Sequence, residues 1–282
     1  MGTYDDDAFR TAYDKVMAKW PADREAVRVA TPFGTAHVNA CGPRDAPPLL
    51  LLPGGGGATS ASWYAQAGEL ARIRRVYAVD LVGAAGRSEQ GRPRSVAELG
   101  AWLDAVLAGL GVERADVGGH SYGAWIALHH AVRAPERVRR LFLLDPTQCF
   151  AGYRPSYLLR ALPMLLRPTP RRVRAFLEWE TGGADLDPDW LRLQEAAAGF
   201  PASRPVTGPR PAAAALRSLD LPVLLLVAAN SRTCDIYAVR AEASKALGEA
   251  VETAVLPAVS HHGLPPAAPS DLGRRLTGFL RG

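Results

Sequence analysis

Cysteine is scarce in this 282-residue chain: there are three, Cys41, Cys149 and Cys234. An odd number without metal-ligand spacing excludes a disulfide framework and a zinc site, so they read as reduced packing residues. No apolar run is long enough to span a bilayer. The first residues, Met1 to Asp7, are acidic where a secretory leader is basic and then apolar. No targeting segment is therefore read, and a cytoplasmic location is expected. His-Glu-x-x-His is missing, and no Gly-Lys-Ser/Thr follows the glycine run Gly54–Gly57, which disfavours a zinc protease and a phosphate-binding loop. Lysine blocks are missing as well. The net charge of +5 comes from arginine, and its ordinary explanation is a solvated basic face, so nucleic-acid binding is not supported.

What is present is an alternation of elements. The content of 48% hydrophobic and 22% charged residues is that of an ordinary globular enzyme. Residues 5–20 carry Phe9, Tyr13, Val16, Met17 and Trp20 at helical spacing before Pro21. Val27–Ala30 and Thr35–Asn39 alternate about Phe33-Gly34 as an opening hairpin. Apolar strands then recur at Leu49–Leu52, Val76–Val79, Arg114–Gly118, Leu141–Leu144, Val223–Val227 and Val251–Leu256. Most are separated by one helix-length segment, as parallel crossovers require. The fold class expected is α/β, a mostly parallel central sheet with helices on both faces.

The stretch from Phe150 to about Arg217 is too long for one crossover. Its segments Tyr157–Leu166, Arg171–Trp179 and Trp190–Ala198, interrupted by proline, predict an inserted helical cap over 151–211, with 1–150 and 212–282 forming the core. The Pro/Gly-rich stretch Phe200–Pro211 reads as the return linker. Tyr153, Tyr157, Leu158, Leu162, Met164, Leu165, Phe176 and Trp179 are candidates to line a pocket, or else form cap core. Arg160, Arg167, Arg171, Arg172 and Arg174 make the segment basic, suited to an acidic substrate or an acidic carrier protein, or simply solvated.

Gly119-His120-Ser121-Tyr122-Gly123 carries the chemistry. A strand precedes it and the apolar helical stretch Ala124–Val132 follows, the frame in which a sharp turn exposes a serine nucleophile. A serine attacks an acyl carbon only when a base removes its proton, and that base is usually histidine.

Four motifs in order resemble the α/β-hydrolase superfamily, over nearly the whole chain from Val27 to Leu280. They are Leu49–Gly57, Val79–Ser88, the serine turn, and Val255-Leu256-Pro257 leading to His261-His262. The resemblance implies an esterase- or thioesterase-like serine hydrolase of small organic molecules that uses no metal or other cofactor; from charge and the lack of a bilayer-length apolar run, neither a nucleic-acid nor a membrane partner is expected. It implies Ser121 as nucleophile and the backbone N–H groups of Gly55 and Tyr122 as an oxyanion hole. Pro53 stands where the family often has histidine.

The base lies in the His261-His262 pair. Counting forward from Val255-Leu256-Pro257 favours His261, whereas counting back from His262-Gly263-Leu264-Pro265 fits His262; His261 is preferred. His120, His129 and His130 read as structural, with His120 pointing away from the turn. In the family the acid usually follows the strand read at Val223–Val227, but here Ser231 occupies that position. Two carboxylates remain. Asp145, at the end of the Leu141–Leu144 strand, ranks above Asp235 in the later loop because a strand end fixes a side chain better. Their other readings are a cap on the Asp145-Pro146 turn and a helix N-cap. Asp80 is a weaker candidate for the acid, since the resemblance implies that this position mainly holds the following loop. A ligand-binding or signalling protein that keeps the pocket, carbon–carbon bond hydrolysis, and a non-hydrolytic reaction are the alternatives.

Overall fold

In a computed structural model, residues 4–89, 91–267 and 270–282 are described. The chain opens with α1 (Asp6–Met17), capped by the Asp5 carboxylate on the amide of Ala8, and the hairpin β1 (Glu25–Thr31) and β2 (Gly34–Cys41). There follow β3 (Pro48–Leu52), α2 (Tyr64–Leu70), β4 (Arg75–Val79), α3 (Val96–Gly109), β5 (Ala115–His120), α4 (Tyr122–Arg133) and β6 (Val138–Leu144). Between β6 and the next strand lie α5 (Pro155–Leu166), α6 (Pro170–Glu180), α7 (Pro188–Ala196) and α8 (Ala213–Arg217). The chain closes with β7 (Val223–Ala228), α9 (Ile236–Leu247), β8 (Val251–Leu256), α10 (Leu264–Ala267) and α11 (Ser270–Arg281).

Among the described residues eight strands form one sheet in the order β1-β2-β4-β3-β5-β6-β7-β8. β1 and β2 are antiparallel to their neighbours and every later pairing is parallel. Strands covered on both faces are apolar throughout, which is why Leu49–Leu52 and Val223–Ala228 contain no polar position. The pleat still sorts them. Leu50, Leu52, Leu141 and Leu143 point to one core layer, while Leu49, Leu51, Phe142 and Leu144 point to the other.

After β3 the chain steps outward to β4 and then returns to place β5 on the other side of β3. Such a reversal opens a crevice at the carboxyl ends of the two strands, the common ligand position in open α/β sheets. The expected strands all form. The serine strand runs two residues further than the sequence suggested, to His120.

Of the prolines between β6 and β7, Pro163 lies inside α5, whereas three others start helices. Pro155, Pro170 and Pro188 each stand in a first turn, where the missing amide has no intrahelical partner to lose. Residues 201–212 have no regular structure. The leading helix packs against both the sheet body and α7: Tyr13 is fully buried and donates to Asp80, while Lys19 pairs with Asp187. No helix among the described residues is long and apolar enough to cross a membrane.

Candidate functional site

Ser121 sits between β5 and α4 with φ 55° and ψ −116°, a conformation that L-residues seldom adopt. The turn closes because two flanking positions lack a side chain. A Cβ at Gly119 would lie 2.3 Å from the carbonyl of Gly123, and one at Gly123 would lie 2.3 Å from the carbonyl oxygen of Leu52. The serine is thereby lifted off the strand line, and its amide is anchored on the carbonyl of Leu144.

From there the polar chain is continuous. Ser121 Oγ lies 2.9 Å from His261 Nε2, and His261 Nδ1 lies 2.6 Å from Asp145 Oδ2. A carboxylate accepts, so Nδ1 carries the imidazole proton and Nε2 is free to accept from the serine hydroxyl. Asp145 ends β6, its amide tied to the carbonyl of Leu226. Its Oδ1 accepts from the amide of Ala228 at 3.1 Å, and its Oδ2 also accepts from Ser231 Oγ at 2.6 Å. Ser231, at the position where the resemblance led one to expect the acid, thus orients the carboxylate at the neighbouring strand end.

Burial pushes the Asp145 carboxyl up, and the hydrogen bonds from Ser231 and Ala228 oppose that shift by favouring the charged form. Burial also pushes the His261 imidazole well down, with His262 acting in the same direction. A base with a lowered pKa stays unprotonated as pH falls. The acid limb of a kcat/KM profile on a soluble ester is therefore expected below about 6.5, the ordinary imidazole value. A limb at 7 or above contradicts this.

The other carboxylate and the other imidazole are not in this chain of contacts. Asp235 caps α9, accepting from the amides of Tyr237 and Ala238 at 3.0 and 3.2 Å, and its side chain is about half exposed. That is the capping role, and it holds the carboxylate away from His261. His262 lines the cavity beside the relay, with Nε2 3.1 Å from the Tyr157 hydroxyl and its ring edge-on to Phe176.

His120 differs from the expectation that it points away. Its Nε2 donates to the carbonyl oxygen of His261 at 2.9 Å, and the two rings lie 4.7 Å apart, so it supports the loop that carries the imidazole. Asp80 holds its own loop, accepting from the Ser60 amide and hydroxyl, the Tyr13 hydroxyl and the Arg87 amide.

Two residues were not singled out in the sequence. Glu180, the last residue of α6, is 1% exposed, and its carboxylate accepts from Ser260 Oγ at 2.8 Å and from the amides of His261 and His262 at 3.2 and 3.0 Å. It fastens the histidine loop to the segment inserted between β6 and β7. A glutamate ending an arginine-rich helix gives no local sign of this, since its partners lie some 80 residues away. Gln194 of α7 lines the cavity above Ser121, and its side-chain amide nitrogen has no partner among the described residues. Its only sequence signal is a polar residue on the buried face of a helix.

That cavity measures about 240 Å³. Its floor is Ser121 with Gly54–Gly57, and its walls are mostly apolar, including Trp63, Phe176, Leu177 and Trp190. Of the aromatic and aliphatic residues expected to line it, Met164, Leu165 and Phe176 do so. Tyr157 instead holds His262, Tyr153 bridges to Cys234, and Trp179 lies beneath the guanidinium groups of Arg160 and Arg232. Leu158 and Leu162 face solvent. Gly55, on the cavity floor, adjoins Tyr122: a Cβ on Gly55 would stand 3.4 Å from the Tyr122 Cβ. The amide of Tyr122 begins α4, where the first N–H groups have no intrahelical partner.

A mostly parallel sheet with a strained serine at its carboxyl edge defines a class, and the sequence match agrees with it. The chain belongs to the alpha/beta hydrolase fold family, whose pattern matches residues 47–188. It is similar to the carboxylesterase YbfK of Bacillus subtilis, 35% identical over 182 residues that cover 64% of this chain and 60% of that protein. The sequence match thus spans about three fifths of the relative's length. The crystal structure of that esterase superposes with a TM-score of 0.88 at 29% identity, covering 96% of both chains. The naproxen esterase (carboxylesterase NP) of Bacillus subtilis superposes equally well, with a TM-score of 0.88 at 27% identity over 97% of each chain.

Proposed function

We propose that the chain is a serine hydrolase that cleaves small organic carboxylic esters through an acyl-enzyme on Ser121, with Asp145 as the acid and His261 as the base. The observation that carries this reading is the unbroken hydrogen-bond path from Ser121 Oγ through His261 to Asp145 beneath an apolar cavity. The likeness to carboxylesterases supports esters over thioesters as the substrate class.

In the first half-reaction Ser121 Oγ attacks the ester carbonyl carbon while His261 Nε2 takes its proton. The carbonyl oxygen becomes an oxyanion, held by the N–H groups of Tyr122 and Gly55. The C–O bond to the alcohol breaks as the imidazolium returns the proton to the leaving oxygen. Asp145 stays ionised throughout and stabilises the imidazolium. Water, deprotonated by His261, then attacks the acyl carbon, and the bond from that carbon to Ser121 Oγ breaks as the imidazolium returns the proton to Oγ, which releases the carboxylic acid and restores the serine. Every proton transfer is made by these side chains, so the sequence requires no cofactor. The inserted helices act as a cap whose apolar walls receive the acyl or alcohol group, and the free amide nitrogen of Gln194 offers a donor to one polar acceptor on it.

A fluorophosphonate probe followed by peptide mass spectrometry tests the reading: a single adduct on Ser121 is expected in the folded protein and none in Ser121→Ala. Absence of the adduct from folded wild-type protein overturns it. Sustained turnover of a p-nitrophenyl ester is expected as well, and a single stoichiometric burst would instead fit a ligand sensor.

A further inference from the structure

We infer that the outer face of α5 docks the protein on an anionic amphiphile surface, such as a vesicle that contains acidic phospholipid, and feeds the cavity from it. Large apolar side chains are otherwise well covered in this molecule. Among the described residues six are exposed, and five of these are leucines on α5: Leu158, Leu159, Leu162, Leu165 and Leu166. Their spacing puts them on one helical stripe. Leu159 and Leu166 are the most open, at 73% and 76% exposure, and Ala161 is the one buried side chain of the helix. Scattered exposed leucines are ordinary, but five contiguous ones on a single helix mark a contact surface.

Charge selects the occupant. From Pro146 to Leu177 the sequence holds six arginines and no aspartate or glutamate. Of these, Arg174 pairs with Glu195 and Glu178, and Arg154 approaches Asp235 at 3.8 Å. Arg167 and Arg171, next to the leucine stripe in the chain, take part in no ion pair among the described residues. A second copy that presented the same face would bring arginine against arginine. An acidic protein would match the arginines but has no need of the leucines. A surface that is both negative and apolar satisfies the two together, as for interfacial helices with a basic flank.

The stripe also leads somewhere. Leu165 belongs to it, is 63% exposed and, with Met164 and Pro168, lines the cavity above Ser121. A docked molecule therefore meets the cavity entrance at the lipid level. No apolar run of this chain is long enough to span a bilayer, but a helix lying on a surface needs only one apolar face. The docking stands on α5 alone, whereas the feeding step rests on the ester-hydrolase reading, and the experiment separates them.

Co-sedimentation of Ser121→Ala protein with vesicles of phosphatidylcholine, with and without phosphatidylglycerol, reads the docking without turnover. Binding is expected to phosphatidylglycerol vesicles and to weaken with added salt. Leu159→Asp/Leu166→Asp should abolish it, and Arg167→Ala/Arg171→Ala should weaken it about tenfold or more. In the wild-type background, Leu159→Asp/Leu166→Asp should keep its kcat/KM on soluble p-nitrophenyl acetate, because neither leucine lines the cavity. Three results overturn the docking. They are no binding that depends on phosphatidylglycerol, loss of binding with the arginine pair but not the leucine pair, and a wild-type dimer that Leu159→Asp/Leu166→Asp dissociates. Docking that persists in a protein with no esterase activity would leave the surface standing and remove the feeding step.

Discussion

Asp145→Asn lowers kcat on a soluble p-nitrophenyl ester by about 10⁴-fold, while Asp235→Asn stays within about twofold of wild type. The difference follows from what each carboxylate touches. Asparagine at 145 keeps one oxygen for the amide of Ala228, so the strand end stays anchored. Its NH₂ group then faces His261 Nδ1, where Asp145 Oδ2 had accepted at 2.6 Å. Two donors cannot share that contact, so the imidazole moves its proton to Nε2, which then presents N–H rather than a lone pair to Ser121 Oγ. The base is lost although the geometry survives. Ser231 accommodates the change, since its hydroxyl can turn from donating to accepting. Asp235 is exposed and caps α9 through two backbone amides, so its amide analogue should leave turnover intact. The reverse outcome, an active Asp145→Asn and an inactive Asp235→Asn, would remove Asp145 from the reaction.

Glu180→Ala is expected to lower stability by about 2–4 kcal/mol and to reduce kcat by about 10²-fold with little change in KM. The carboxylate is buried and holds three donors, two of them the amides of His261 and His262. Truncation leaves those amides without an acceptor and frees the loop that fixes Nε2 against the serine. An Å-scale displacement of a base is enough for a loss of this size. Glu180→Gln is the informative companion. One oxygen still accepts from Ser260 and the amide of His262, but the NH₂ group opposes the amide of His261, so the variant should be intermediate in kcat while folding well. Thermal melts separate stability from positioning. A Glu180→Gln protein with wild-type kcat, pH profile and rate of fluorophosphonate labelling would reduce Glu180 to a purely structural contact.

Much of this was legible in the chain. The central strands, such as Leu49–Leu52 and Val223–Ala228, are short apolar runs buried on both faces, and local composition suffices to find them. The serine turn was legible because its strain demands glycine at 119 and 123, a local requirement written in adjacent letters. Helix boundaries between β6 and β7 were read late, because a proline inside an apolar stretch looks like an interruption when it stands at a helix start.

The sequence by itself determined the α/β architecture, the position of the serine and the region that holds the histidine facing it, since each depends on residues close together in the chain. It did not choose between Asp145 and Asp235 or between His261 and His262. Those choices depend on which side chains meet across the carboxyl edge of the sheet, 116 residues apart for Asp145 and His261 and 140 for Ser121 and His261. Glu180 and Ser231 were decided the same way. Their roles are hydrogen bonds between distant segments, and such bonds exist only once the parallel strand order and the inserted helices have brought the donors and acceptors together.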